Sequence, residues 1–451
     1  MKPLHKEILS LAVPSILANI TVPLVGMADI AVAGHLGGGT GAAALIGGIT
    51  IGTMLFDLLY WNFAFLRSGT GGLTAQAYGR LLAGTCGVDQ VQGILMRALR
   101  IALLSGVALI ALQWVVLWLA FLLVDCTPQV RELASQYFKI RIWAAPATLS
   151  LFAFKGWFIG LQDTVRPMIA DLLVNGLNIL LSFGLGFGLC GLPAMGFAGV
   201  AAGTLIAQWC GFTYAAIAAW RKFPHKTPDQ VGGDVTGAFF RMNRDLVLRS
   251  LGMIAVYIGF TVISARFGDT MLAVSSILMK LLLVFSYFTD GFAYAGEALT
   301  GKFIGAGDKQ GVHAAVKGCF IWGWGLAGAF MLLYGLGGVP AFRLLTSDVT
   351  VVEAGREFIP WLLLMPLIGV PAFIWDGIFT GATATSAMRD STLLCAVGFF
   401  AVWFGGYCLA LALGEEAPGG PMAIHILMAA YFVHLAVRSV YLSVRWWRIK
   451  K

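Results

Sequence analysis

One carboxylate stands inside an otherwise apolar stretch near the start of the chain. Asp29 lies in VPLVGMADIAVAGHLG, residues 22–37, close to the end of a long hydrophobic run. A charged side chain at membrane depth costs about 2.5–3.5 kcal/mol on insertion scales, so such groups usually face a cavity and bind ions or substrates. Asp29 is therefore a candidate proton- or cation-binding group, and a hydrogen bond that serves only helix packing is the alternative.

A second set of polar residues follows helical spacing in a later apolar segment. Asp171, Asn175, Asn178 and Ser182 occur at i, i+4, i+7 and i+11, which places them along one face of a helix. This face predicts the lining of a polar chamber opposite Asp29. Interhelical packing contacts are the alternative, and Asp171, near the helix end, could be merely interfacial.

The second half of the chain offers two further charges inside apolar runs, Lys280 and Asp376. They could form a buried ion pair, since an unpaired buried ammonium would lose its proton or destabilise the fold. Alternatively, Lys280 lines a cleft, where it would repel cations or bind anionic groups. The sequence leaves both interpretations open.

Composition indicates what must position these groups. Of 451 residues, 59% are hydrophobic and 12% are charged, which is about half the charged fraction of soluble domains. Apolar runs of bilayer-spanning length recur throughout, and the first run lacks a signal-peptide cleavage site. We predict an all-α polytopic membrane protein with twelve transmembrane helices. They are placed near residues 8–34, 41–66, 96–123, 137–161, 167–189, 196–220, 243–266, 271–297, 313–338, 356–381, 391–413 and 421–446.

The distribution of Lys and Arg predicts the orientation of these helices. Of the 30 basic residues, 22 fall on the side of the N-terminus, 6 fall on the opposite side, Arg141 among them, and Lys280 and Arg438 remain inside the membrane. By the positive-inside rule both termini are cytoplasmic, and we expect the plasma (inner) membrane of a bacterium. The formal charge of +8 then reflects topology and attraction to membrane lipids, and no nucleic-acid partner is expected.

The two halves of the chain resemble each other weakly. GLTAQAYGR (72–80) recurs as ALTGKFIGA (298–306), and KGWFIG (155–160) recurs as DGIFTG (376–381). Six predicted spans per half give both halves the same orientation, which predicts two six-helix bundles related by a pseudo-two-fold parallel repeat. The predicted division is an N-terminal lobe (1–220), a cytoplasmic connector (221–242) and a C-terminal lobe (243–451).

Four segments together resemble a known family. These segments are LAVPSILANITVPLVGMADIAVAGHLG, FLRSGTGGLTAQAYGR, GWFIGLQDTVRPM and DGFAYAGEALTGKFIGAGD. In their order and positions they are similar to the MATE (multidrug and toxic compound extrusion) transporters, most closely to the DinF-like branch. The resemblance implies a cation-coupled exporter in which the first-span aspartate is the central titratable residue. Many relatives carry an aspartate four residues after the asparagine that matches Asn178, whereas this chain carries Ser182.

This departure bears on the coupling ion. Asp29, Asn178, Ser182 and Thr204 are the candidate ligands, and they contain one carboxylate. Sodium in a protein cage favours several oxygen ligands and carboxylate charge, so we predict H+ rather than Na+, with Na+ possible at Asp29, Asn178 and Thr204. We expect no other cofactor or metal.

Two prolines precede Asp29 in the first span. Pro14 and Pro23 each remove a backbone hydrogen bond and permit a kink. Protonation of Asp29 could therefore change the bend of this helix.

The predicted function is that of an antiporter that exports drugs or other small cationic or amphipathic compounds by alternating access. We expect the protein to be a monomer. A flippase for a lipid-linked substrate is the alternative. An enzyme is not expected, because the one His/Asp pairing, His225 with Asp229, lies in the polar connector. The seven cysteines show no C-x-x-C spacing; Cys126 and Cys190 could pair or could be buried as small apolar residues.

Overall fold

The computed structural model describes residues 2–36, 42–124, 126–223, 235–346, 348–412 and 420–449, and these residues form helices joined by short turns. The predicted pairing of His225 with Asp229 lies outside them. The first half contains α1 (Lys2–Leu36), α2 (Ala42–Trp61), α3 (Phe65–Leu82), α4 (Val88–Ala111), α5 (Gln113–Leu123), α6 (Pro128–Arg141), α7 (Ala145–Gly160), α8 (Val165–Phe187) and α9 (Phe197–Lys222). The second half contains α10 (Val235–Ser264), α11 (Asp269–Gly305), α12 (Lys309–Leu345), α13 (Val349–Arg356), α14 (Ile359–Gly381), α15 (Thr385–Ala412) and α16 (Gly420–Ile449).

Twelve helical segments in the described part of the chain are long and apolar enough to cross a bilayer, as the sequence predicted. Three of the predicted spans contain an interruption that the hydrophobic pattern does not show. Asn62 donates from Nδ2 to the Leu58 carbonyl (2.8 Å) between α2 and α3, and Gln113 donates to the Ile110 carbonyl (2.9 Å) between α4 and α5. Such bonds compete with the helical ladder. Pro146 opens α7, where it ends the helical bonding of α6.

The chain forms two compact units, residues 13–235 and residues 1–12 with 236–451. The predicted N-terminal lobe was 1–220, whereas the compact unit begins at residue 13 and ends at residue 235, inside the predicted connector of 221–242. The first twelve residues contact the second half of the chain: Glu7 accepts a 2.8 Å bond from Lys302 Nζ, and His5 Nδ1 accepts a 3.2 Å bond from Trp322 Nε1. The helix α1 runs without interruption through Pro14 and Pro23.

Both halves use the same glycine contacts between helices. α7 packs on α3, and α14 packs on α11. A Cβ at Gly156 would collide with the Arg67 carbonyl, and a Cβ at Gly377 would collide with the Ala293 carbonyl. Only glycine permits such close backbone approach, so the weak sequence repeat preserves a specific mode of packing.

The turns that follow these helices are also equivalent. Gln162 after α7 has φ 60° and Thr383 after α14 has φ 54°, and both lie 221 positions apart, as do Gly156 and Gly377. Each donates its backbone N–H to a carbonyl three residues earlier at 2.9 Å. Left-handed residues that are not glycine are uncommon, so their recurrence supports the internal repeat.

Candidate functional site

Asp29 lies on α1 with 5% of its surface exposed. Ser182 on α8 donates from Oγ to Asp29 Oδ1 at 3.0 Å. Ser182 itself is fully buried. Of the predicted polar face of α8, Ser182 is the residue that contacts Asp29, and the group that contacts the carboxylate is a neutral hydroxyl.

One turn before Ser182 on α8, Asn178 contacts α9. Asn178 Nδ2 donates to Thr204 Oγ1 at 2.7 Å, and Thr204 donates to the Val200 carbonyl at 3.2 Å. Ser182 Oγ also lies 3.5 Å from Asn178 Oδ1. Four buried side chains from three helices, Asp29, Ser182, Asn178 and Thr204, therefore form one hydrogen-bonded group, which we call the Asp29 cluster.

Glycines on α9 bring Thr204 to this position. A Cβ at Gly203 would lie 2.9 Å from the Ser182 backbone nitrogen, and one at Gly199 would lie 2.6 Å from the Leu185 carbonyl oxygen. A side chain at either position would push α9 away from α8. The sequence GVAAGT thus permits the short bond between Asn178 and Thr204.

The remaining two residues of the predicted face lie outside the cluster. Asn175 donates to Thr21 Oγ1 on α1 at 2.6 Å, a partner that the sequence analysis missed. Asp171 pairs with Lys155 Nζ on α7 at 2.6 Å. The polar face of α8 therefore divides into a cluster around Asp29, a second bond to α1 and a separate ion pair.

Arg141 contributes positive charge to the surroundings of Asp29. Its guanidinium attracts both Asp29 and Asp57 electrostatically, donates to the Tyr137 hydroxyl at 2.9 Å and lies 4.7 Å from the centre of the Phe56 ring. The sequence assigned Arg141 to the outer side of the membrane. Its position relative to Asp29 depends on helix packing that sequence spacing does not encode.

The Asp29 cluster offers oxygen atoms for a cation but limited charge. Asp29 supplies its one carboxylate, and Asn178, Ser182 and Thr204 supply neutral oxygens. Within the described ranges no three His, Cys, Asp or Glu side chains gather as a metal site. The donor set is compatible with a proton on Asp29 and poor for a multivalent metal.

Asp376 in the second half has different partners. Arg249 Nη2 on α10 lies 2.5 Å from Asp376 Oδ2, and Arg438 on α16 contacts both carboxylate oxygens. Lys280 is exposed on α11, so the ion pair between Lys280 and Asp376, one of the two interpretations that the sequence left open, is wrong. The role of Lys280 at a cleft stays a prediction.

A further charged group lies in the turn between α7 and α8. Asp163 accepts from Lys222 Nζ at 2.7 Å and pairs with Arg166. Burial alone would raise the pKa of the Asp163 carboxyl, but the bonds and charges of Lys222 and Arg166 outweigh it, so its pKa lies below the usual value. This group joins the end of α9 to the start of α8.

No cysteine whose side chain is described belongs to the Asp29 cluster. Cys126 is bonded to none of those cysteines, and the side chain of Cys190 lies outside the described part of the structure. Their pairing stays open.

The chain is similar to proteins of one family over most of its length. The MatE family model matches residues 14–183 and 246–402. DNA damage-inducible protein F of Escherichia coli is 33% identical over 418 residues, which cover 90% of this chain and 88% of that protein. A probable multidrug resistance protein NorM of Thermotoga maritima is 23% identical and covers 98% of this chain and 93% of its own length.

Solved structures agree in fold. An outward-facing multidrug resistance MATE family transporter of the MOP superfamily superposes with a TM-score of 0.81 at 18% identity, over 99% of this chain and 97% of that one. A MOP superfamily transporter from Pyrococcus furiosus gives a TM-score of 0.80 at 18% identity, over 99% and 97%. With this fold and the matched residues, the chain belongs to the MatE family of integral membrane transporters.

Proposed function

We propose that this protein is a proton-coupled antiporter that exports drugs or other small cationic or amphipathic compounds by alternating access. The observation that carries the proposal is the Asp29 cluster, in which a buried carboxylate is bonded by a neutral hydroxyl at 3.0 Å. A buried carboxylate with neutral hydrogen-bonding partners can exist in two protonation states. Binding of H+ and of a cationic compound at Asp29 would then exclude each other.

The geometry of Ser182 supports proton binding. When Asp29 is ionised, the Ser182 hydroxyl donates to it. When Asp29 is protonated, the same hydroxyl can turn toward Asn178 Oδ1, 3.5 Å away, and accept from the carboxyl group. Both protonation states therefore have a hydrogen-bonding arrangement, which lowers the cost of changing between them.

Sodium coupling is the less favoured version of the proposal. A sodium ion would depend on one carboxylate and on the neutral oxygens of Asn178 and Thr204, and the Asn178 amide nitrogen already donates to Thr204 Oγ1. Hard cations in proteins favour more carboxylate charge than this. The chemistry of the cluster thus supports H+.

The stoichiometry that we propose is one proton per cycle. Asp376 would be the second carboxylate, but Arg249 and Arg438 bond both of its oxygens directly, so it is a poor candidate for a second proton site. Exchange of one proton for one monovalent cation moves no net charge, so the pH gradient alone drives it, with about tenfold accumulation per pH unit. Transport of such a compound should not respond to membrane potential.

The relatives support export of small compounds. The NorM proteins of Thermotoga maritima and Deinococcus radiodurans carry multidrug resistance in their names, and related plant proteins are named for detoxification. The flippase alternative gains no support from these names, and no observation in the structure favours it.

Reconstituted vesicles test the proposal. We expect a pH gradient to drive uptake of a cationic dye and a sodium gradient at equal pH to have no effect. Asp29→Asn should abolish the response, whereas Asp89→Asn, which removes an exposed carboxylate at the start of α4, should retain it. Full activity of Asp29→Asn, or uptake driven by sodium alone, would contradict the assignment.

A further inference from the structure

An apolar groove runs along the surface of the second unit between α10 and α15. Its volume is about 630 Å³, and its walls include Leu251, Ala255, Val397, Phe400 and Phe404. Several of these side chains are strongly exposed, among them Val397 at 66% and Phe404 at 59%. From residue 393 to residue 404 the wall on α15 is about 16 Å long, which suits a lipid acyl chain.

The two helices that form this groove run in the same direction. Asp245 of α10 pairs with Arg389 of α15 at 2.7 Å, and further along a Cβ at Gly259 would lie 2.9 Å from Phe400 Cζ. The N-terminal ends of α10 and α15 therefore lie on the same side of the membrane. The groove begins at Leu251 and Leu393, which lie one to two turns beyond the pair of Asp245 and Arg389.

Positive charge lies at this end of the groove. Arg244 has 67% of its side chain exposed and lies 3.6 Å from Asp245, whose carboxylate is already bonded by Arg389. At 100° per residue, Arg244, Leu251 and Ala255 fall within about 20° of one line along α10. An exposed guanidinium thus stands above the apolar wall, on the same face of the helix.

We propose that this groove binds an anionic phospholipid of the bilayer, with an acyl chain between α10 and α15 and the phosphate on Arg244. Arginine forms bidentate bonds with phosphate, and basic residues beside apolar helix surfaces are the pattern that recruits anionic headgroups. The predicted topology places this end on the cytoplasmic side, where anionic lipids attract basic residues. The acyl chain would fill the groove, and the headgroup would supply the selectivity.

Native mass spectrometry of the delipidated full-length protein tests this site. Phosphatidylglycerol and phosphatidylcholine with identical acyl chains are titrated separately. We expect phosphatidylglycerol to bind about fivefold more tightly, which corresponds to one basic contact. Arg244→Gln should remove the preference, whereas Arg343→Gln, which removes an equal charge from an exposed arginine on α12, should keep it.

A second variant tests the groove itself. Ala401→Trp would fill it and should weaken binding of both lipids several-fold, whereas Leu336→Trp, on an 86% exposed position of α12, should not. Equal binding of the two lipids, an unchanged preference in Arg244→Gln, or unchanged binding in Ala401→Trp would overturn the proposal. So would a dimer mass that Ala401→Trp removes, because a second copy would then occupy the groove. The measurement needs no transport, so its outcome is independent of the proposed antiport.

Discussion

Asp29 and Asp376 are both aspartates on spanning helices, one in each half, yet their partners differ in kind. Asp29 accepts its hydrogen bond from a serine hydroxyl, with the charge of Arg141 acting on it without a direct bond, whereas Asp376 is bonded directly by Arg249 and Arg438. A carboxylate whose direct donors are neutral changes protonation at lower cost than one bonded by two guanidinium groups. The first arrangement suits a site that titrates, and the second suits a fixed structural contact.

The internal repeat makes this contrast sharper. Position 376 corresponds to position 155, by the same offset of 221 that relates Gly156 to Gly377, and position 155 is a lysine. Lys155 pairs with Asp171 at 2.6 Å. The two halves therefore keep the same glycine packing at this place while the sign of the neighbouring charge is reversed, so the charge has changed without a change in backbone packing.

The largest expected effect is on the free energy of unfolding, which should depend strongly on the contacts of Asp376 and weakly on those of Asp29. Arg438→Met removes a guanidinium that is 1% exposed and should lower the free energy of unfolding by about 3–5 kcal/mol, because a buried ion pair loses one partner. Asp29→Asn should change stability far less while it abolishes coupling. Thermal unfolding in detergent measures both, and equal destabilisation by the two changes would remove the distinction.

The next prediction adds charge to the neutral cluster. Ser182→Asp places a second carboxylate beside Asp29 and Asn178, and it should make transport responsive to a sodium gradient, since hard cations favour carboxylate oxygens. Dye uptake in vesicles with and without sodium at constant pH measures the response. The control is Ser135→Asp, at a partly exposed serine of α6. If dye uptake by Ser182→Asp did not respond to sodium, carboxylate charge alone would not determine which ion drives transport.

A smaller effect is expected from the contact between α8 and α9. Gly203→Ala introduces a Cβ 2.9 Å from the Ser182 nitrogen and should lower stability by about 1–3 kcal/mol together with transport activity. Gly176→Ala on α8, where a Cβ would meet nothing within 4 Å, should be neutral or stabilising by up to about 1 kcal/mol. If both variants behaved alike in thermal unfolding and uptake, close approach would not position Thr204.

The smallest effect concerns an ion pair outside the spans. The pKa of Asp163 is lowered in the folded protein, so its contribution to stability is present above the pKa of the unfolded chain and is lost as pH falls through the folded pKa. Asp163→Asn should therefore cost roughly 1 kcal/mol at neutral pH and nothing in strong acid. Unfolding temperatures between pH 7 and pH 3 test this, and a constant difference would contradict it.

The sequence was sufficient to predict those features of the candidate site that depend on the spacing of residues along one helix. Helical spacing placed Asn178 and Ser182 on one face, and the cost of a charge in lipid singled out Asp29; the structure brings all three together. The number of spanning segments followed from hydrophobic length. These features depend on local pattern and on the solvent, which a single sequence contains.

The hydrogen-bond and ion-pair partners on neighbouring helices could not be predicted from spacing along one helix. Lys280 and Asp376 were plausible partners because both are charged residues within apolar segments. In the structure, however, the rotation of α11 leaves Lys280 exposed. The groups that packing brings to Asp376 are Arg249 and Arg438. Thr21 as the partner of Asn175 was missed for the same reason. Helix rotation and crossing are set by the summed packing of many side chains, which spacing along one chain does not reveal.

The Ser182 hydroxyl, lying 3.0 Å from Asp29 and 3.5 Å from Asn178, has a consequence for the timing of a transport cycle. A side-chain torsion changes within picoseconds to nanoseconds, whereas collective helix movements take microseconds to milliseconds. Under the proposed mechanism, reorientation of this one hydroxyl would be complete long before any helix moves. The rate of turnover would then report helix rearrangement, and the pH would set only the fraction of molecules that are ready for it.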